Sequence, residues 1–220
     1  MIKRSSKLEK IKKAIDKEHS EVESIFNCIK KHIPSSENLN ILNLASGNGT
    51  GLELTKEILS QYNYQITCLD IKKFKHVDKY VEDKIYEFIQ DDLLNLTLES
   101  KQIMTTKNVW MAIHACYDLP MIILSLFEQY APTNSWLFIV PCCNIKKFKL
   151  MSKLINIYGE NVTMSFCSEF KKNAENIPYK SNYIMREMRT KILINSPYFV
   201  DCYKLPTMKS LMNLVFIYHK

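Results

Sequence analysis

Ile41 to Gly51 (Ile-Leu-Asn-Leu-Ala-Ser-Gly-Asn-Gly-Thr-Gly) constrains this chain more than any other stretch. It holds three of the only four glycines in 220 residues. An apolar run enters it and a helical pattern leaves it. A strand, a tight glycine turn and a helix together bring backbone N–H groups against a ligand. The stretch is therefore read as the nucleotide end of a cofactor pocket.

The rest of the chain alternates around that turn. Asn40–Leu44, Gln65–Leu69, Ile85–Ile89, Asn108–His114 and Ser135–Val140 are strand-like runs. The second ends at Asp70, the third at Asp91-Asp92, and Pro141 stops the fifth. Helical spacing is predicted for Thr50–Gln61, Lys75–Val81, about Asp118–Tyr130 and Lys146–Tyr158. This rhythm predicts an α/β fold, a doubly wound parallel sheet covered on both faces. Near the end, Tyr198–Lys204 and Leu211–Tyr218 are strand-like and joined by a short turn around Pro206, which forces them antiparallel. The expected sheet is seven-stranded and mostly parallel, with an antiparallel C-terminal hairpin strand.

Outside that core, Leu8, Ile11, Ile15, Val22, Ile25, Phe26, Ile29 and Ile33 recur at near-helical spacing over residues 6–33. Ser6 with Glu9 and Ser20 with Glu23 match capping boxes, which predicts a break near His19. Residues 1–36 are thus read as an N-terminal helical segment and 37–220 as the main domain. Residues 160–180 are polar and irregular, Ser181–Ile194 is helix-like, and 160–195 is a candidate substrate-binding insertion.

The net charge of +7 is uneven: residues 1–33 carry +4, 34–145 carry −5, 146–191 carry +6 and 192–220 carry +2. An acidic cofactor half between basic flanks suits an enzyme that acts on a polyanion, and equally suits solvated helix faces rich in lysine. No apolar run approaches the roughly 18 residues of a membrane span, so no membrane partner is expected. The basic N-terminus has no apolar core behind it, so secretion is not expected. Seven cysteines, an odd number without a repeated framework, are expected as reduced thiols in the cytoplasm.

Spacing narrows the glycine loop. A phosphate-gripping loop needs Gly-Lys-Ser/Thr, which is absent here. The dinucleotide fingerprint wants a third glycine where Leu52 stands. Gly47-x-Gly49-x-Gly51 remains, a loop against which a ligand can lie without a phosphate grip. Here the chain resembles the class I S-adenosyl-L-methionine-dependent methyltransferases, whose first motif is a strand running into an acidic-x-Gly-x-Gly loop. Asn43-Leu44-Ala45-Ser46-Gly47-Asn48-Gly49 aligns with it, with Asn43 in place of the acid and Ala45 in place of the first glycine.

The resemblance implies a Rossmann-like methyltransferase fold, S-adenosyl-L-methionine as cofactor, and a pocket that includes Asn43, Ala45, Ser46, Gly47 and Gly49. Asp70, 23 residues beyond Gly47, would accept from the ribose hydroxyls, with Ile71 beside it. Asp91, Asp92 and Leu93 would meet the adenine, and His114 and Tyr117 would complete the cofactor set. Taken singly, each aspartate also suits an N-cap or loop.

Two further strand ends, Ile113-His114-Ala115-Cys116-Tyr117-Asp118-Leu119-Pro120 and Val140-Pro141-Cys142-Cys143-Asn144, look like a subgroup with His-x-Cys-x-Asp and Cys-Cys motifs. That subgroup includes tRNA ribose methyltransferases, which implies an RNA substrate, tRNA first and rRNA next. Asn144-Ile145-Lys146 follows the cysteine pair where the tRNA enzymes typically have histidines. His114 is the candidate base. Cys142 and Cys143 are candidate nucleophiles, or buried thiols lining the methionine end of the pocket. Adjacent cysteines chelate one ion poorly, so no metal is expected. Lys146, Lys147, Lys149, Lys171, Lys172, Arg186 and Arg189 are the candidate RNA contacts. The alternatives are a protein or small-molecule methyltransferase, or a cofactor-binding subunit that supports a partner protein.

Overall fold

A computed structural model of the protein describes residues 19–47, 52–73, 86–115, 119–141, 190, 192–204 and 214–220. The predicted helices at Lys75–Val81 and Lys146–Tyr158 lie outside them, as do residues 160–180 and most of Ser181–Ile194.

Every strand-like run forms a strand. In chain order these are β1 (Leu39–Leu44), β2 (Tyr64–Asp70), β3 (Tyr86–Gln90), β4 (Val109–Ala115), β5 (Trp136–Pro141), β6 (Phe199–Lys204) and β7 (Leu214–His219). The described helices are α1 (19–32), α2 (Leu52–Ile58), α3 (Leu98–Met104) and α4 (Leu119–Tyr130), and residues 190 and 192–194 are also helical. One sheet holds all seven strands in the order β3-β2-β1-β4-β5-β7-β6. Strands β1 to β5 pair in parallel, while β7 runs antiparallel to both β5 and β6. The chain reverses direction across β1, first filling the sheet to one side and then to the other. In sheets of this kind ligands bind outside the carboxyl ends of the strands at the reversal, where the glycine loop lies.

The period of two along each strand divides the core. Ile41, Ile66, Cys68, Val109, Met111, Phe138, Val140, Val215 and Ile217 face one layer, which α1 covers with Val22, Ile25, Phe26 and Ile29. Leu42, Leu44, Leu69, Trp110, Ala112, Leu137, Ile139, Phe216 and Tyr218 face the other, covered by Met121, Ile123, Leu124 and Phe127 of α4 and by Met104 of α3. Two-sided burial explains why these strands read as near-continuous apolar runs. Residues 19–32 are thus part of the central core: Tyr62 Oη donates to the Ile33 carbonyl at 2.8 Å, and the His32 ring packs on Trp136 and Phe138.

Two register shifts depart from the expected pairing. Ile113 pairs with Val140 and Ala115 with Pro141, so His114 is an extra residue at the carboxyl end of β4. Pro141 belongs to β5 rather than following it; without an N–H it weakens the ladder beside the shift. Val200 is the corresponding extra residue in β6, on the sheet's outer edge, where a bulge discourages pairing with another chain.

Helix α3 has no counterpart among the predicted helices. It has seven residues, with Ser100 and Met104 buried, and is set by its cap: Thr97 Oγ1 accepts from the Ser100 N–H at 3.2 Å.

Candidate cofactor pocket

The glycine loop leaves β1 through two left-handed residues, Ala45 (φ 52°) and Gly47 (φ 59°). Gly47 adopts this conformation freely, and a β-carbon added to it would meet no atom of the described residues within 4 Å. Ala45, where the resemblance places a glycine, holds the same conformation against its own β-carbon. We predict that Ala45→Gly stabilises the fold by about 0.5–1 kcal/mol, because relief of left-handed strain slightly exceeds the entropy gained by the unfolded chain. An increase in the denaturant midpoint at unchanged m-value checks this; a decrease would show that the methyl group contributes packing instead.

Asp70 connects this loop to β2. Its Oδ2 accepts from the Gly47 N–H at 2.8 Å and its Oδ1 from the Lys72 N–H at 3.1 Å. Both oxygens are thereby oriented, and among the described residues each has a single donor, which leaves it a lone pair. Ile71, the next residue, is 59% exposed, an uncovered apolar side chain at the strand end. The Asp70 carbonyl also accepts from the Asp91 N–H at 3.1 Å, which joins the ends of β2 and β3.

Beneath the loop, Asn43 is buried and its Nδ2 donates to Cys68 Sγ at 3.8 Å, between residues in register on β1 and β2. Burial pushes the Cys68 thiol up to about 12, against the opposing hydrogen bond from Asn43; the charge of Asp70 raises it further. The Ser46 hydroxyl also favours the thiolate but lies outside hydrogen-bonding geometry, and its buried Oγ has no partner among the described residues. Cys68 is thus a neutral, inert thiol. At about pH 8 it should resist alkylation in the native protein and react only on unfolding, read by mass spectrometry of the labelled peptide. Because its folded pKa is raised above 9.0, the stability it contributes is complete below pH 9.0 and is lost as pH rises towards about 12.

The β3 end carries Asp91, Asp92 and Leu93. Asp91 is engaged with the following loop through Thr97 and Ser100. Partial burial raises its pKa, but hydrogen bonds from Ser100, Thr97 and Asp92 outweigh that and hold the carboxyl below its ordinary value. Asp92 Oδ1 accepts from the Leu94 N–H at 2.9 Å, and Leu93 is buried. Thr97, Ser100 and the Lys72 N–H were not legible as contributors. Only Thr97, a cap-type residue ahead of a short apolar pattern, left a signal.

The structure therefore brings Asn43, Ala45, Ser46, Gly47, Asp70, Ile71, Asp91, Asp92 and Leu93 to one end of the sheet, and places His114 in its β4 bulge. Gly49, Tyr117, Cys142 and Cys143 lie outside the described residues, as do Lys146, Lys147, Lys149, Lys171, Lys172, Arg186 and Arg189. Among the described residues no helix is long and apolar enough to cross a membrane.

This strand order, with a glycine loop after β1 and acids after β2 and β3, defines the Rossmann-like fold of methyltransferases. A family profile described as a methyltransferase domain matches residues 16–149, which takes in α1 and the sheet through β5, and the chain belongs to that family. No curated protein matches the chain significantly. Among solved structures, a Methanococcus maripaludis protein assigned as an S-adenosyl-L-methionine-dependent methyltransferase is similar at 14% identity and a TM-score of 0.51, covering 99% of this chain and 92% of its own. The plantazolicin methyltransferase in complex with S-adenosylhomocysteine is similar at 12% identity and a TM-score of 0.51, covering 99% of this chain and 90% of its own. The Burkholderia thailandensis 1,6-didemethyltoxoflavin-N1-methyltransferase is similar at 10% identity and a TM-score of 0.51, covering 92% of this chain and 79% of its own. At such identities the likeness is one of fold.

Proposed function

We propose that this protein transfers a methyl group from S-adenosyl-L-methionine to an RNA, tRNA first among the candidates. The observation that carries the cofactor assignment is the Gly47–Asp70 contact: a left-handed glycine turn tied to an oriented carboxylate at the carboxyl ends of parallel strands. The Ser46 hydroxyl, which has no partner among the described residues, is a further polar group beneath this loop. On this reading Asn43, Ala45, Ser46, Gly47 and Gly49 line the cofactor, Asp70 accepts from the ribose hydroxyls, Ile71 packs on the purine, and Asp92 and Leu93 meet its edge. His114 and Tyr117 stand at the reacting end, with His114 as base. Cys142 and Cys143 line that end or supply a nucleophile. The bound cofactor would supply an already activated methyl group on a sulfonium, so the chain's main task is to orient the acceptor in line with it.

The RNA assignment is supported by the net +6 of residues 146–191, which contain the seven candidate contacts from Lys146 to Arg189, and by the two strand-end motifs. Charge-driven RNA binding weakens steeply with salt, so log–log plots of affinity against salt should slope by about −0.7 per phosphate contacted. RNA affinity insensitive to salt would remove this substrate.

Methyl transfer from labelled cofactor into separate RNA, protein and small-molecule fractions tests the whole reading, with incorporation into RNA alone expected. Incorporation elsewhere would support the protein or small-molecule alternative. Asn43, whose amide is engaged with Cys68 in the place of the usual acid, favours a second reading: a cofactor-binding subunit supporting a partner protein. Cofactor binding with no methyl transfer into any fraction would favour that one.

A further inference from the structure

The end of β3 carries two adjacent aspartates that are chemically identical and differently engaged. Asp91 Oδ1 accepts from the Asp92 N–H at 2.8 Å. Its Oδ2 accepts from the Thr97 N–H at 2.9 Å, from Thr97 Oγ1 at 2.8 Å and from Ser100 Oγ. The two lone-pair sites of Oδ2 are thus fully taken by Thr97 and Ser100, while Oδ1 is turned onto the N–H of the next residue. Asp92 uses one oxygen on the Leu94 N–H, and its Oδ2 has no partner among the described residues.

We infer that Asp91 is a positioning residue of the pocket, a clamp closing the 91–97 loop so that Asp92 and the Leu93 backbone are presented to the purine. Residues six and nine positions further on reach back to one carboxylate, which fixes the path of the loop between them. The Asp91 N–H on the Asp70 carbonyl extends the clamp towards the ribose-facing acid, and Asp70 in turn holds Gly47. The loop, the ribose acid and the purine edge are thereby joined by a chain of hydrogen bonds that ends in α3. This inference rests on the reading of the pocket as a site for S-adenosyl-L-methionine.

Calorimetric titration with S-adenosylhomocysteine and with its inosine counterpart, which lacks the exocyclic amino group, tests it on the full chain. Asp91→Asn and Ser100→Ala should each weaken both ligands by about tenfold and leave their ratio unchanged. The double variant should be no weaker than Asp91→Asn alone, because both changes open the same clamp. Asp92→Asn should collapse the discrimination between the two ligands. Wild-type affinity in Ser100→Ala, or loss of discrimination in Asp91→Asn, would overturn the clamp. Should Asp91→Asn fail to fold, Ser100→Ala carries the test, since it removes one donor and keeps the acid. A wild-type protein that binds neither ligand would instead remove the cofactor reading itself.

Discussion

Replacing Asp70 by alanine is expected to raise the dissociation constant for S-adenosylhomocysteine by about 30- to 100-fold. Among the described residues the carboxylate is the one group that holds the glycine loop, through Gly47, with a single donor on each oxygen, so that lone pairs remain for the ribose. Hydrogen bonds to a charged acceptor contribute about 1.5–3 kcal/mol, and losing the ribose contacts while loosening the loop places the effect in the upper part of that range. Asp70→Asn should lie between the two, because one oxygen remains to accept. Calorimetry measures the affinities, with thermal unfolding alongside to confirm that each variant is folded. A change of less than about threefold in the alanine variant would show that the ribose is held elsewhere.

The second large effect is structural. Phe26→Ala should destabilise the protein by about 3–5 kcal/mol, the range for deleting a buried aromatic side chain. Phe26 is fully buried and belongs to the layer that joins α1 to β1, β4, β5 and β7. Denaturant unfolding followed by far-ultraviolet circular dichroism reads the change directly. A loss below about 1 kcal/mol would mean that residues 19–32 only rest on the sheet. The expected loss would make that helix integral to the methyltransferase fold.

Much of this architecture was legible locally. Each strand was visible as an apolar run because a parallel sheet buried on both faces needs little polar alternation, and its ends fell within a few residues of the prediction. The small errors have one cause: strand ends are set by partners. Tyr64 pairs with Leu39 and Asp70 with Gln90, so β2 extends beyond the apolar run that marked it. Pro141 counts as strand because Ala115 lies opposite it, across a shift created by His114.

Helix α3 shows a different limit. Its seven residues are too few for periodicity to register, and Ser100 is buried because Asp91 draws it inward. The left-handed turn at Ala45 was equally hidden, since alanine carries no preference for that conformation.

Local sequence decided that a glycine turn follows an apolar strand, that strands alternate with helices, and that acids terminate two of those strands. These features depend on near neighbours: backbone freedom at a glycine, the period of side chains along an element, and caps within a turn. Tertiary structure alone decided the strand order, the covering of one sheet face by residues 19–32, and the difference between Asp91 and Asp92. The two aspartates are identical as letters and adjacent in sequence. Only the path of the chain back through Thr97 and Ser100 fills Oδ2 of one carboxylate, while Oδ2 of the other has no partner among the described residues.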